Sequence, residues 1–143
     1  MYEVTAEGVL AVYGSLVEGT GAQTVLALSS EPLPEAARRA LAAAVAKLGY
    51  GDDALAFATS QGALGSRDLL TIVEGLDPLC LVAADATAAA LLGQAYGAPV
   101  PEDDATRLMG RTVVAFDDFA SLLGDANDKQ RAWALLKRLP KIG

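Results

Sequence analysis

Residues 77–97 read DPLCLVAADATAAALLGQAYG, and this stretch decides the fold class. Leu79 to Ala84 (LCLVAA) is a continuous apolar run of strand length, without the alternation of a half-exposed strand. Asp77-Pro78 introduces it as a turn. Asp85 follows at once, and an Asp there can accept from the free N–H groups that open a helix. Ala86 to Tyr96 is apolar almost all round, the pattern of a helix buried on more than one side, and Gly97 supplies its stop. A strand apolar on both faces and joined tightly to a helix belongs to a parallel sheet with helices on either side.

The same alternation extends in both directions. Upstream, Gln23 to Ser29 (QTVLALS) and Ala54 to Thr59 (ALAFAT) read as the first and second strands. Between them Pro34 suits the start of a helix that runs to Leu48, with Ala37, Leu41, Ala44, Val45 and Leu48 inward and Gly49 as its end. Ser66 is a candidate cap for a short helix through Glu74. Downstream, Thr112 to Phe116 (TVVAF) is the fourth strand, after an exposed loop over 98–110 that carries Pro99, Pro101, Glu102, Asp103 and Asp104. Asp117 opens a short helix through Leu123, and Asp128 opens the last helix, through Leu139. Thr5 to Glu18 adds an N-terminal helix with Thr5 as its cap and Ala6, Val9, Leu10, Tyr13 and Val17 on one stripe, weakened by Gly8 and Gly14 and ended by Gly19 and Gly21.

The expectation is one α/β domain over residues 1–143, with 1–18 as an extra helix. Right-handed crossovers then give a three-layer α/β/α sandwich. Its ligands would bind beyond the carboxyl ends of the strands, at Ser29-Ser30-Glu31, Thr59-Ser60-Gln61, Asp85-Ala86 and Asp117-Asp118.

Composition narrows the chemistry. There is no histidine, which removes the commonest general base and the commonest metal ligand together. The single cysteine, Cys80, can form no internal disulfide and reads as a small buried hydrophobe. Apolar residues make up 52% of the chain, but charge, Gly or Pro breaks every run before membrane-helix length. Met1 is followed by Glu3 and Glu7, not by Lys or Arg, so no secretory signal is expected and the chain reads as cytoplasmic. A net charge of −7 opposes phosphate backbones and anionic membranes at long range, so tight duplex binding is not expected. The acids Glu3, Glu7, Glu18, Glu31 and Glu35 crowd the first 35 residues. The bases Lys129, Arg131, Lys137, Arg138 and Lys141 crowd the end, where a solvated helix face explains them better than a nucleic-acid patch.

Residues 67–140 resemble the uracil-DNA glycosylase superfamily. The resemblance rests on Asp77-Pro78 with the strand to Ala84, and on Ala88-Ala89-Ala90-Leu91-Leu92-Gly93. It continues through Arg111 to Phe116, Asp117-Asp118-Phe119-Ala120-Ser121-Leu122-Leu123, and Lys129 through Trp133-Ala134-Leu135-Leu136-Lys137. It implies a four-stranded parallel sheet in the order 2-1-3-4, with Ala54–Thr59 and Thr112–Phe116 as its edges.

The catalytic positions depart from the family. Asp117 stands where the family carries a histidine, and a carboxylate would repel the charge that an imidazole stabilises on the leaving base. Ser30-Glu31-Pro32-Leu33-Pro34 lacks the glycines of the water-activating loop. Ser60 replaces the uracil-reading asparagine, and the four cysteines of the iron–sulfur branch are absent.

The expectation is therefore a non-catalytic glycosylase-like module that binds a protein or small molecule, with no cofactor or metal. Its ligand rim would be Ser30, Glu31, Ser60, Asp85, Asp117 and Asp118. The alternative is an active glycosylase or carboxylate-dependent hydrolase using Glu31 and Asp117. For Asp85 and Asp117, helix capping outweighs a shared cation site. With no histidine present and no lysine adjacent, Ser29, Ser30, Thr59 and Ser60 have no obvious activator. Trp133 reads as helix packing. The expected bare sheet edges, with the N-terminal helix, also suggest a homodimer.

Overall fold

The computed structural model describes residues 6–19, 24–51, 53–60 and 65–140. Among these residues six strands form one sheet: β1 (Val17–Glu18), β2 (Val25–Ser29), β3 (Leu55–Thr59), β4 (Cys80–Ala83), β5 (Asp104–Leu108) and β6 (Arg111–Ala115). The helices among the described residues are α1 (Ala6–Tyr13), α2 (Glu35–Lys47), α3 (Ser66–Leu76), α4 (Ala86–Tyr96) and α5 (Ala126–Leu136), with a 3₁₀ turn at Ala120–Gly124. The sheet order is β1-β3-β2-β4-β6-β5. Its inner neighbours β3, β2, β4 and β6 pair in parallel, while β1 on β3 and β5 on β6 are antiparallel.

The α/β class stands, but the sheet is mixed and six-stranded, where four parallel strands were expected. Both supposed edges are covered by pairing within the chain. The motive for edge-to-edge dimerisation goes with them. The new outer strand β5 carries the half-buried Asp104 and the exposed Arg107, a charged edge of the kind that discourages further pairing.

Two local causes produce the added strands. α1 ends at Tyr13, five residues before the expected limit at Glu18, and Gly14 follows at a position where a Cβ would lie 2.5 Å from the Leu10 carbonyl oxygen, so the turn requires glycine. The chain then turns, with the Leu16 N–H donating to the Tyr13 carbonyl, and lays Val17–Glu18 beside Ala58 and Phe57. At the other edge, Met109 (φ 50°) and Gly110 (φ 86°) both adopt left-handed backbone, as a two-residue hairpin turn demands. Residues 104–108, expected as loop, therefore pair with β6.

Side chains alternate across the inner strands and build two cores. Leu26, Leu28, Leu81 and Val113 pack with α1, α3 and α4, whereas Val25, Val82, Val114 and Phe116 pack with α2, α5 and Phe119. α4 buries Ala88, Ala89 and Leu92 but leaves Ala90 and Gln94 exposed, so it is covered less completely than its composition suggests. Cys80 is fully buried on β4, its Sγ 3.4 Å from Tyr50 Oη, and burial pushes the thiol pKa up.

At the amino ends of the strands, the buried Arg111 donates to the Pro78 carbonyl and to the Glu74 and Asp77 carboxylates at 2.7–2.9 Å. Arg111 lay one residue outside the expected strand. The helix starts are also corrected. Gly65 precedes α3, with its N–H donating to Asp68, so Ser66 is the first helical residue and no cap. Asp125 caps α5 in place of Asp128, and α5 ends at Leu136, short of Leu139. Thr5 and Gly21 lie outside the described residues.

α1 docks on α3, with Val9 buried and the Tyr13 hydroxyl donating to Asp68 Oδ1 at 2.7 Å. That bond, and then the Gly65 N–H, holds the Asp68 carboxyl below its ordinary range. A depressed carboxylate pKa contributes stability that is complete above the unfolded value and is lost as pH falls through the folded one. Tyr13→Phe should return the Asp68 titration, followed by carboxyl carbon-13 NMR, toward the ordinary range. An unchanged titration would mean that α1 is not seated on Asp68.

Candidate functional site at the strand ends

The carboxyl ends of β2, β3, β4 and β6 form the rim where a ligand of this fold class would sit. Asp85 is its most connected member. One carboxylate oxygen accepts from the Ala88 N–H at 2.8 Å and caps α4. The other accepts from the Ser30 N–H at 2.8 Å and the Ser30 hydroxyl at 3.0 Å. Asp85 thereby clamps the loop leaving β2 to the start of α4, and three donors occupy its carboxylate.

The segment after β6 is stitched to the same place through its backbone. Asp85 and Asp118 form an isolated antiparallel bridge. The Ala86 N–H donates to the Asp117 carbonyl, and the Phe119 N–H donates to the Ala84 carbonyl. Asp117 caps no helix: the 3₁₀ turn begins three residues later, at Ala120. The side chains of Asp117, Asp118 and Glu31 are exposed. Among the described residues, no three acidic, cysteine or histidine side chains group closely enough to hold a metal ion.

Among the described residues the space seen beside Ser60 is small. A cavity of about 10 Å³ lies among Leu28, Ser29, Ser60, Leu69, Ala88 and Leu91, enough for about one water molecule. Ser60 lines it and is buried, its N–H donating to the Ser29 carbonyl. A second cavity of about 130 Å³ opens between β2, β3 and the start of α2. Arg38 borders it, ion-paired with Glu18 and 4.4 Å above the Phe57 ring. Sequence reasoning missed this pair because Glu18 reaches Arg38 only once Val17–Glu18 has joined the sheet. Neither cavity is lined by Glu31, Asp85, Asp117 or Asp118.

Acidic side chains crowd around Asp117. Loss of hydration, followed by the Asp117 carboxylate and the charge of Asp103, raises the Glu102 pKa, as expected where acids crowd. Of the six candidate residues, Ser30 and Asp85 meet directly and Asp118 joins them through backbone. Asp117 lies beside Glu102 and Asp103, which the sequence placed on a separate loop. No protein-family model matches the chain, and no curated protein sequence matches it. Among the described residues, no helix is long and apolar enough to cross a membrane.

Proposed function

We propose that the chain is a non-catalytic member of the uracil-DNA glycosylase superfamily, acting in the cytoplasm as a binding module. The observation that carries this reading is the commitment of Asp85 within the described part of the strand-end rim. Asp85 is committed to Ser30 and Ala88, and the cavity beside Ser60 holds about 10 Å³, far less than a flipped base requires. Asp117 supports it further, since a negative group at the position that should stabilise a departing oxyanion raises the barrier. The inner strand neighbours β3-β2-β4-β6 are compatible with the family's sheet, to which β1 and β5 would be additions.

An active glycosylase or hydrolase using Glu31 and Asp117 would need a cavity that brings a substrate to them, and the two rim cavities exclude both side chains. Micromolar protein incubated overnight with uracil-containing single- and double-stranded DNA should release no base above the buffer control. Clear turnover that Glu31→Ala abolishes would overturn the proposal.

A further inference from the structure

The chain has four lysines, and the three described ones all sit around one groove on the face opposite α1. The groove, of about 350 Å³, runs between α2, α5 and the 3₁₀ turn. Ala40, Ala44, Leu123 and Ala132 give it an apolar floor, and the half-buried Trp133 forms one wall. Lys47 and Lys129 line it directly. Lys47 Nζ stands 5.6 Å and Lys137 Nζ 5.8 Å from the Trp133 ring centre.

Among the described residues none of the three lysines has a carboxylate partner, whereas the neighbouring Arg131 and Arg138 are paired with Asp128 and Asp104. In a chain of net charge −7, three unneutralised cations around an apolar trough are a local reversal of sign. At physiological salt the screening length is about 8 Å, so an occupant of the groove feels these lysines more than the distant acids.

We infer that this groove docks an acidic peptide segment of another protein, its bulky apolar side chains filling the trough and its carboxylates meeting Lys47, Lys129 and Lys137. The inference rests on the binding-module reading and names the surface that module uses. Small alanines on the α2 side leave room for large anchors, as in helix-in-groove recognition. A nucleic-acid strand fits less well, because most of the lining offers neither charge nor hydrogen-bond donors, and of its two aromatic rings Phe119 is buried, which leaves Trp133 to stack a base.

Trp133 is the chain's only tryptophan, so its fluorescence reports the groove directly. The probe is a Trp-free peptide of about 16 residues, with Leu and Phe at i, i+3, i+4 and i+7 and Glu elsewhere. Its partner is the same peptide with Lys replacing Glu. The Glu peptide should shift the emission saturably, with half-saturation at roughly 100 μM or tighter, and the Lys peptide should not. K47E/K137E, both on exposed sites, should weaken binding at least about tenfold while the circular dichroism is unchanged. A43E, at an exposed position on the groove lip, should block it separately.

A flat signal to 1 mM Glu peptide, or an equal response to the Lys peptide, overturns the inference. So does tighter binding of an oligothymidylate, which would make the groove a nucleic-acid site. A shift on concentrating the protein alone would assign the groove to a second copy, and would overturn it too. Any of these failures in a protein that excises no uracil leaves the non-catalytic reading intact. Uracil excision would refute that reading whatever the groove binds.

Discussion

Asp85→Ala should lower stability by about 3 kcal/mol, a fall in melting temperature of about 10 °C for a domain of this size. The substitution removes the side-chain cap of α4, a loss of roughly 1 kcal/mol by itself. It also strips a charged acceptor from the Ser30 N–H and hydroxyl in a partly buried place, which adds about 1.5–3 kcal/mol. Asp85→Asn keeps an acceptor for only part of this set and should lose about half as much. Glu31→Ala, an exposed residue on the same rim, should stay within about 0.5 kcal/mol of the parent. Thermal melts followed by circular dichroism decide the matter. A loss below 1 kcal/mol for Asp85→Ala would mean that the carboxylate is free for other work, and would reopen the rim as a ligand site.

Deleting residues 1–18 should cost more, about 4 kcal/mol, and cause aggregation as the protein is concentrated. The truncation removes Val9 and Val17, both buried, together with the partly buried Leu10 and Tyr13 that pack on the α3 face. It also strips β3 of its antiparallel partner and leaves the Thr59 N–H without the Leu16 carbonyl. The result is an apolar patch beside an unpaired strand edge, the combination that invites association between chains. Light scattering and a denaturant titration of the truncated protein provide the test. If it stays soluble and equally stable, the covering role of this segment is wrong.

The four inner strands are legible in the sequence because each is a largely apolar run, a pattern that survives without knowledge of neighbours. β1 and β5 escaped it for opposite reasons. Val17–Glu18 is two residues long, too short to show any period, and Asp104–Leu108 carries the charge and partial exposure of an edge strand. The start of α5 was misplaced because Asp125, Asn127 and Asp128 all have side chains that can cap, and only the backbone angles select Asp125.

The rim residues were legible as positions but not as interactions. Ser30 and Asp85 are 55 residues apart, and only the parallel pairing of β2 with β4 brings their loops within hydrogen-bond reach. The Trp133 groove was invisible because α2 and α5 become neighbours only when both pack on the same face of the folded sheet. On a helix seen alone, a tryptophan among alanine and leucine reads as core.

The place of Cys80 bears on how any covalently linked dimer should be understood. Its sulfur lies in the core beneath α2 and α5, on a strand flanked by β2 and β6, with no exposed surface. Oxidation needs an accessible thiolate, and burial disfavours both access and ionisation here. An intermolecular disulfide therefore cannot form between two folded molecules. A cross-linked pair on a non-reducing gel records molecules whose sheet has come apart, and so serves as a tally of past unfolding and not as a sign of native assembly.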